Sequence, residues 1–153
     1  KDFLESARKI MELTSVPLPS DVATAKSFSK EAMAEEKVLS DIEDDDIVMD
    51  IGPETRRHFG DLIREMNTVI WNGPIGVFEF PQFAKGTESI ALAVGKNGGF
   101  SIAGGGETVT AIDHFSVRDR ISYISTGGGA FLEYVQGIKL PAVQILEEKL
   151  VGI

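Results

Sequence analysis

The sequence has no cysteine, no surplus of basic residues and no apolar run of the roughly 18 residues that a membrane-spanning helix requires. The absence of cysteine excludes disulfides, thiolate metal sites and a cysteine nucleophile, and it fits a reducing compartment. Its 15 basic and 24 acidic residues give a net charge of −9, which disfavours nucleic acid and anionic membrane surfaces as partners. The 153 residues are 42% hydrophobic, enough for one globular domain.

Glycine is missing from the first 51 residues, and all 16 glycines lie at or after Gly52. The early part begins with an apolar stripe at helical spacing, and its mostly polar segment 29–46 ends in an acidic cluster. We interpret that cluster as a solvated loop and not as a calcium site, because it has no glycine to permit the sharp turn of a calcium loop. The chain opens with Lys1 inside an amphipathic stretch, which suggests a cut made within a longer protein.

From Ile47 onward, short β-branched or aromatic runs alternate with stretches of helical periodicity. The runs are residues 47–49, 68–71, 100–103 and 121–124. Each run is nearly all apolar and leads into a glycine-containing turn that opens a helical stretch. This pattern predicts an α/β fold in which a mainly parallel sheet carries helices on both faces. In such sheets, ligands bind outside the carboxyl ends of the strands.

Two of these turns contain glycine triplets, Gly104-Gly105-Gly106 and Gly127-Gly128-Gly129. A glycine triplet permits positive φ values, removes the Cβ atoms that could block a ligand, and lets backbone N–H groups point at an anion. The alternative is a tight turn required only for close packing of strand against helix. Two triplets on the same rim of the sheet favour phosphate binding. No P-loop lysine follows them, and each lacks the third glycine of a dinucleotide fingerprint.

Two acidic residues stand out in the turns. Glu107 follows the first triplet, where it could hold Mg²⁺ between itself and phosphates or simply interact with a helix N-terminus. Glu79 lies in the aromatic loop 71–80, where it could accept hydrogen bonds from a ribose diol or face solvent between two rings. Trp71 ends an apolar run, and we expect it in the core. On spacing alone, both roles stay open for Glu107, and solvent exposure is the simpler interpretation for Glu79.

Four motifs in order resemble the carboxy-terminal part of the phosphoglycerate kinase family. They read Asp-Ile-Gly-Pro-Glu-Thr at 50–55, Trp-Asn-Gly-Pro-Ile-Gly-Val-Phe-Glu at 71–79, Ala-Gly-Gly-Gly-Glu-Thr at 103–108 and Ser-Thr-Gly-Gly-Gly-Ala at 125–130. The segments at 17–22 and 140–143 resemble the family as well, so that the likeness covers essentially the whole chain. One difference is Glu107, where the family most often has aspartate.

The resemblance implies a Rossmann-like three-layer lobe. Residues 1–153 are interpreted as the C-terminal nucleotide-binding domain, lacking its first strands and the whole N-terminal substrate domain. The implied reaction is reversible phosphoryl transfer from 1,3-bisphosphoglycerate to MgADP, giving 3-phosphoglycerate and MgATP. Its partners would be ATP or ADP, Mg²⁺, the two glycerate phosphates and the missing N-terminal half of the chain. The parent protein would be a cytoplasmic, monomeric glycolytic transferase.

The resemblance also assigns residues to roles. The implied cofactor-binding residues are Gly52, Asn72, Glu79, Gly104, Gly105, Gly106, Glu107 and Thr108. Glu79 would hold the ribose hydroxyls, Asn72 would lie close to the phosphates, and residues 104–108 would receive them at a helix N-terminus. Glu107 would bind the metal. The catalytic contribution falls to Gly104, Gly105, Gly127 and Gly128, which would face the phosphoryl group during transfer.

No lysine or arginine lies in any glycine turn, although phosphoryl transfer depends on positive charge around the moving group. We therefore predict that the 153-residue chain does not turn over alone, and that it folds poorly or associates. Three alternatives compete: another Mg²⁺-nucleotide phosphotransferase, a non-catalytic nucleotide- or sugar-phosphate-binding module, and glycines with a purely structural role.

Overall fold

A computed structural model describes residues 3–150. The predicted cut at Lys1 lies outside the described residues. Both ends of the domain predicted at 1–153 lie outside them as well. The strands are β1 (Asp21–Ala25), β2 (Glu35–Val38), β3 (Ile47–Ile51), β4 (Thr68–Trp71), β5 (Phe100–Gly104) and β6 (Tyr123–Ser125). The helices are α1 (Leu4–Leu13), α2 (Pro53–Glu65), α3 (Lys85–Lys96), α4 (Gly106–His114), α5 (Gly129–Val135) and α6 (Pro141–Leu150).

The strands form two sheets of three. In one, β4, β5 and β6 run parallel in that order, with Thr68 opposite Phe100 and Ile102 opposite Tyr123. Each parallel pair is joined through a helix, as parallel pairing requires. In the other sheet, β1 lies between β2 and β3 and is antiparallel to both.

The parallel sheet lies between helices. Side chains of α2, α3 and α4 pack on the face that carries Val69, Trp71 and Ala103, and Trp71 is 5% exposed, as expected of a core residue. On the opposite face, Phe131 of α5 lines a groove together with Ile102. These layers confirm the predicted α/β class with a parallel sheet and helices, and much of the second face is uncovered.

One predicted strand belongs to a different sheet. The run at 47–49 was assigned to the parallel sheet, and that assignment is wrong because β3 pairs antiparallel with β1, with Val22 opposite Ile51. Its apolar character comes from a second core, in which Met49 and Phe83 are buried with alanines of β1. Burial beneath a loop produces the same apolar run as burial beneath a helix, so that the sequence pattern does not distinguish them.

The segment 29–46 contains β2, and the acidic cluster at its end lies in a mostly exposed turn, as predicted for a solvated loop. Two lysines of the antiparallel sheet region pair with three of its carboxylates. The Nζ atom of Lys26 lies 2.6 Å from carboxylate oxygens of both Glu43 and Asp45, and the Nζ atom of Lys37 lies 2.9 Å from Asp46. The Asp46 side chain is only 1% exposed. Part of this cluster therefore forms an ion-pair network with the two lysines.

Helix α1 has the predicted helical stripe, but none of its residues is buried. Its apolar side chains are exposed, including Leu4 at 60% and Ile10 at 54%. In the part of the chain that the structure describes, no helix combines the length and apolar character that crossing a bilayer would take.

Candidate functional site

The two glycine triplets lie on the same rim of the parallel sheet. Strand β5 ends at Gly104, strand β6 ends at Ser125, and these two residues are partners in the parallel register. Because both strands run in the same direction, the turns that follow them emerge side by side at the carboxyl edge. This is the edge where open parallel sheets bind ligands.

The first corner turns sharply into α4. Gly105 has a φ of +98°, a conformation that side-chain-bearing residues rarely adopt, and it is the residue immediately before the helix. The first backbone hydrogen bond of the helix runs from the N–H of Val109 to the carbonyl of Gly105. The N–H groups of residues 106–108 precede that bond and therefore have no acceptor inside the helix. A Cβ placed on Gly106 would meet nothing within 4 Å, so that this corner is open to a ligand.

Thr108 and Asn72 join the first corner to the loop that follows β4. The backbone N–H of Gly73 donates to the Thr108 hydroxyl over 2.7 Å, and Thr108 is buried. The Oδ1 atom of Asn72 lies 3.0 Å from the position that a Cβ on Gly105 would occupy. The structure thus brings Asn72, Gly105 and Thr108 together, but it directs the Thr108 hydroxyl into the protein. The Thr108 backbone N–H has no acceptor inside the helix and can face a ligand.

The second corner has the same character. Gly128 has φ +53° and ψ −125°, a combination essentially restricted to glycine. A Cβ on either Gly128 or Gly129 would meet nothing within 4 Å. The N–H of Gly127 donates to the Ser125 hydroxyl over 3.2 Å, so that the donors left at this corner belong to residues 128 and 129.

The two corners are in contact through Phe131. Its ring, in the first turn of α5, occupies the space where a Cβ of Gly104 would lie. Close packing of β5 against α5 therefore explains the absence of a side chain at Gly104. The contact also fixes the second corner against the first, since any shift of α5 would move both.

Gly52 and Glu79 lie in other turns. Gly52 is buried, its N–H donates to the carbonyl of Asp21 over 2.8 Å, and the Asp21 carboxyl group fills the space beside its Cα. Its backbone donor is therefore already used within the protein. Glu79 is exposed and follows the buried ring of Phe78. The structure leaves its carboxylate accessible.

Asp50 was not predicted as a functional residue, and it is buried beneath the loop that carries Glu79. The residue is 3% exposed, and its two oxygens accept the N–H groups of Ile51 and Gly86 over 2.8 and 2.7 Å. Burial raises the pKa of Asp50 to about 6, although these backbone hydrogen bonds act to lower it. The sequence signals are an acid at the end of an apolar run and its place at the start of the motif at 50–55.

The charges around the corners are negative or absent. Glu107 is exposed in the first turn of α4, where the helix dipole favours a carboxylate. Within residues 3–150, the only group of three carboxylates or histidines close enough to share a metal is Glu43, Asp45 and Asp46, in the antiparallel sheet region. Glu107 is thus a single hard oxygen ligand beside an anion-binding corner. This donor set fits Mg²⁺ that is held mainly by phosphate oxygens.

The fold and this rim define a class: an α/β domain whose glycine turns offer backbone donors to an anion at the carboxyl edge of a parallel sheet. A sequence model described as phosphoglycerate kinase matches residues 1–138. The curated phosphoglycerate kinase of Legionella pneumophila (strain Paris) is 54% identical over 153 residues, which cover 97% of this chain and 39% of that protein.

Two solved structures have the same fold. A phosphoglycerate kinase from Coxiella burnetii superposes with a TM-score of 0.88 at 42% identity, covering 95% of this chain and 39% of that one. A phosphoglycerate kinase from Pyrococcus horikoshii OT3 superposes with a TM-score of 0.81 at 29% identity, covering 95% and 36%. The chain belongs to the phosphoglycerate kinase family. It spans about 39% of the length of the curated relative.

Proposed function

We propose that this chain is the nucleotide-binding part of an enzyme that transfers a phosphoryl group between 1,3-bisphosphoglycerate and ADP. The observation that carries the proposal is the pair of open glycine corners on adjacent parallel strands. Family membership supplies the reaction, since the relatives named above are phosphoglycerate kinases. The proposal includes MgATP and MgADP as the nucleotide substrates and the cytoplasm as the location.

In this proposal, the N–H groups of residues 106–108 and 128–129 hold the phosphates of the nucleotide. Such donors need no reorganisation when charge shifts onto the phosphoryl oxygens, and they leave room for the group to pass between the corners. Gly104 and Gly105 shape the first corner, and Gly127 and Gly128 shape the second. Asn72 reaches the phosphates from the neighbouring loop, where its side chain already lies against Gly105.

The nucleoside is assigned to the loop after β4 and the turn after β3. The exposed carboxylate of Glu79 accepts hydrogen bonds from the ribose hydroxyls, and the turn at Gly52 forms the adjacent wall. Glu107 holds Mg²⁺ at the mouth of the first corner. When bound, the metal neutralises phosphate charge and helps to orient the nucleotide.

The proposal assigns the rest of the active site to the missing part of the protein. Residues 1–153 are taken as the C-terminal domain without its first strands, and the N-terminal domain supplies the glycerate-phosphate site and the transfer cations. In the described part of the chain, the corners themselves contain no lysine or arginine. The 153-residue chain is therefore expected to bind nucleotide without completing the reaction.

Titration of the chain with ADP, ATP and 3-phosphoglycerate tests the proposal. Trp71 is the only tryptophan, and its indole N–H donates to the carbonyl of Gly73, so that its emission reports on the loop beside the first corner. We expect saturable binding of both adenine nucleotides and much weaker binding of 3-phosphoglycerate. Equal binding of all three ligands would favour a general phosphate-binding module, and no binding would favour purely structural glycines.

A further inference from the structure

We infer that Asp50 is a positioning residue for the nucleotide: its buried carboxylate holds the loop 72–80 against strand β3 and helix α3, and thereby sets the position of Glu79. This inference rests on the proposed function, since it concerns the nucleoside side of the same site. Asp50 does not contact the glycine corners and has no role in the proposed transfer itself.

The Asp50 carboxylate joins three segments of the chain. One oxygen accepts the N–H of Ile51, at the end of β3, and the other accepts the N–H of Gly86, in the first turn of α3. The third segment is the loop after β4, which approaches through Gly76. A Cβ on Gly76 would lie 2.6 Å from the Oδ1 atom of Asp50, so that only a residue without a side chain can come this close.

The loop is fixed at the same place by main-chain contacts. The N–H of Val77 donates to the carbonyl of Met49, the residue before Asp50, over 2.8 Å. Thr87, the residue after Gly86, bonds both the N–H and the carbonyl of Ile75 through its hydroxyl. Glu79 follows these anchored residues by two positions. A change at Asp50 therefore reaches Glu79 through short, hydrogen-bonded connections.

The geometry requires a carboxylate. Both oxygens of Asp50 face backbone N–H donors, and an N–H cannot be rotated away. Asparagine has nearly the same shape but replaces one acceptor by an NH₂ group, which would face a backbone N–H and leave that N–H and the NH₂ group without an acceptor. Asp50→Asn should therefore move the loop or α3 without creating a cavity.

The test measures ADP binding and Trp71 emission in the 153-residue wild type, D50N and a matched control, N97A. Asn97 also makes several main-chain hydrogen bonds, to Gly99, Ile63 and Met66, but it lies at the opposite, amino-terminal rim of the sheet. We expect D50N to bind ADP about tenfold more weakly, through lost preorganisation of the loop, and to change Trp71 emission. N97A should lower stability and leave both readouts unchanged.

A double-mutant cycle with Glu79→Gln shows whether Asp50 acts through Glu79. If it does, D50N should weaken ADP binding in the wild-type background and have little further effect in E79Q. Additive losses, or equal losses in D50N and N97A, would overturn the inference. Wild-type ADP affinity and emission in a folded D50N would overturn it too.

A second variant covers the case in which D50N does not fold. Gly86→Ala places a methyl group against the Asp50 carboxylate from the α3 side and should reproduce the weaker ADP binding. A folded G86A that binds ADP normally contradicts the inference. If the wild-type chain binds no ADP at all, the proposed function fails and the inference fails with it. The inference fails while the proposed function stands only if the wild-type chain binds ADP and the folded variants bind it equally well.

Discussion

The glycines of the two triplets differ in backbone conformation and in the space around them. Gly128 needs glycine because its φ is +53°, whereas Gly129 has an ordinary φ and open space around it. Gly104 needs glycine because Phe131 lies against it. The sequence identifies all of these residues as glycine, but it cannot separate the three reasons, because each depends on neighbours that are distant in the chain.

Substitution of the second triplet should separate conformation from space. We expect Gly128→Ala to lower the free energy of unfolding by about 2 kcal/mol, because alanine is strained at that backbone conformation. Gly129→Ala, in the first turn of α5, should change it by about 0.5 kcal/mol or less. Chemical denaturation of both variants measures this difference, and equal losses would show that the turn does not have the described conformation.

Asp50 should make stability depend on pH in the direction opposite to ordinary ion-paired carboxylates. Its ordinary pKa of 3.8 is raised to about 6 in the folded chain. The folded state therefore holds the proton of Asp50 more tightly than the unfolded state does. The resulting contribution to the free energy of unfolding is present below about pH 4 and is lost as the pH rises through 6. The two-unit rise corresponds to about 3 kcal/mol as an order of magnitude.

The measurement is urea denaturation of wild type and D50N between pH 4 and 7, with the difference between their free energies of unfolding plotted against pH. This difference removes the contributions of other titrating groups. The free energy of unfolding of the wild type minus that of D50N should fall as the pH rises. A difference that is flat or rising across this range would contradict the raised pKa of Asp50.

At the level of elements, periodicity located the parallel sheet and its helices well. The predicted runs at 68–71 and 100–103 match β4 and β5, and the run at 121–124 overlaps β6. The antiparallel sheet was missed because β2 is mostly exposed and charged, with the sequence Glu-Glu-Lys-Val, and its partner β1 is a short buried run between prolines and a polar segment. Pairing of that kind depends on contacts across the chain, which a single sequence does not display.

The candidate site residues also divide into those that sequence motifs indicate and those that depend on contacts seen only in the structure. The triplets and Asn72 are predicted from the distinctive motifs of this family, and the structure brings Asn72 against Gly105. Thr108 stays a predicted nucleotide-binding residue, and its hydroxyl accepts the N–H of Gly73, which the motif does not reveal. Asp50 was not assigned a role, although it begins the motif at 50–55, because a motif does not show that its carboxylate is buried. Its importance comes from the loop and helix that fold over it.

The link between α4 and the loop after β4 can be tested at Thr108. Thr108→Val keeps the shape of the side chain and removes the acceptor of the Gly73 N–H, leaving a partly buried donor unpaired at a cost of about 1–3 kcal/mol. The matched control is Thr110→Val, because Thr110 is exposed on the same helix and bonds only the carbonyl of Gly106. Thermal unfolding should show a clear loss for T108V and little for T110V. Similar small losses in both would mean that the link is weak.

At the scale of the whole molecule, one face of the parallel sheet is largely uncovered. Ile70, Phe100 and Tyr123 are each more than half exposed on that face, at 52%, 51% and 57%. Apolar surface of this kind promotes association. We expect sedimentation velocity to show concentration-dependent association, which the double substitution I70T/F100T should reduce. A compact wild-type monomer at every concentration would contradict this expectation.

The whole chain is also expected to be inactive by itself, because the described corners offer backbone N–H groups and no cationic side chain to the proposed phosphate. A coupled assay for ATP formation from 1,3-bisphosphoglycerate and ADP should show no turnover by the purified 153-residue chain. Turnover that copurifies with the chain through successive separations would show that the chain already contains the transfer cations.

The most direct test of the central claim is an amide NMR titration of ¹⁵N-labelled chain with MgADP. The account predicts that the largest shift changes fall on residues 105–108 and 127–129 together, because both corners contact the same phosphates. It also predicts a smaller change at Gly73 through its bond to Thr108. Shift changes confined to one corner, or found only on other surfaces of the chain, would contradict the account.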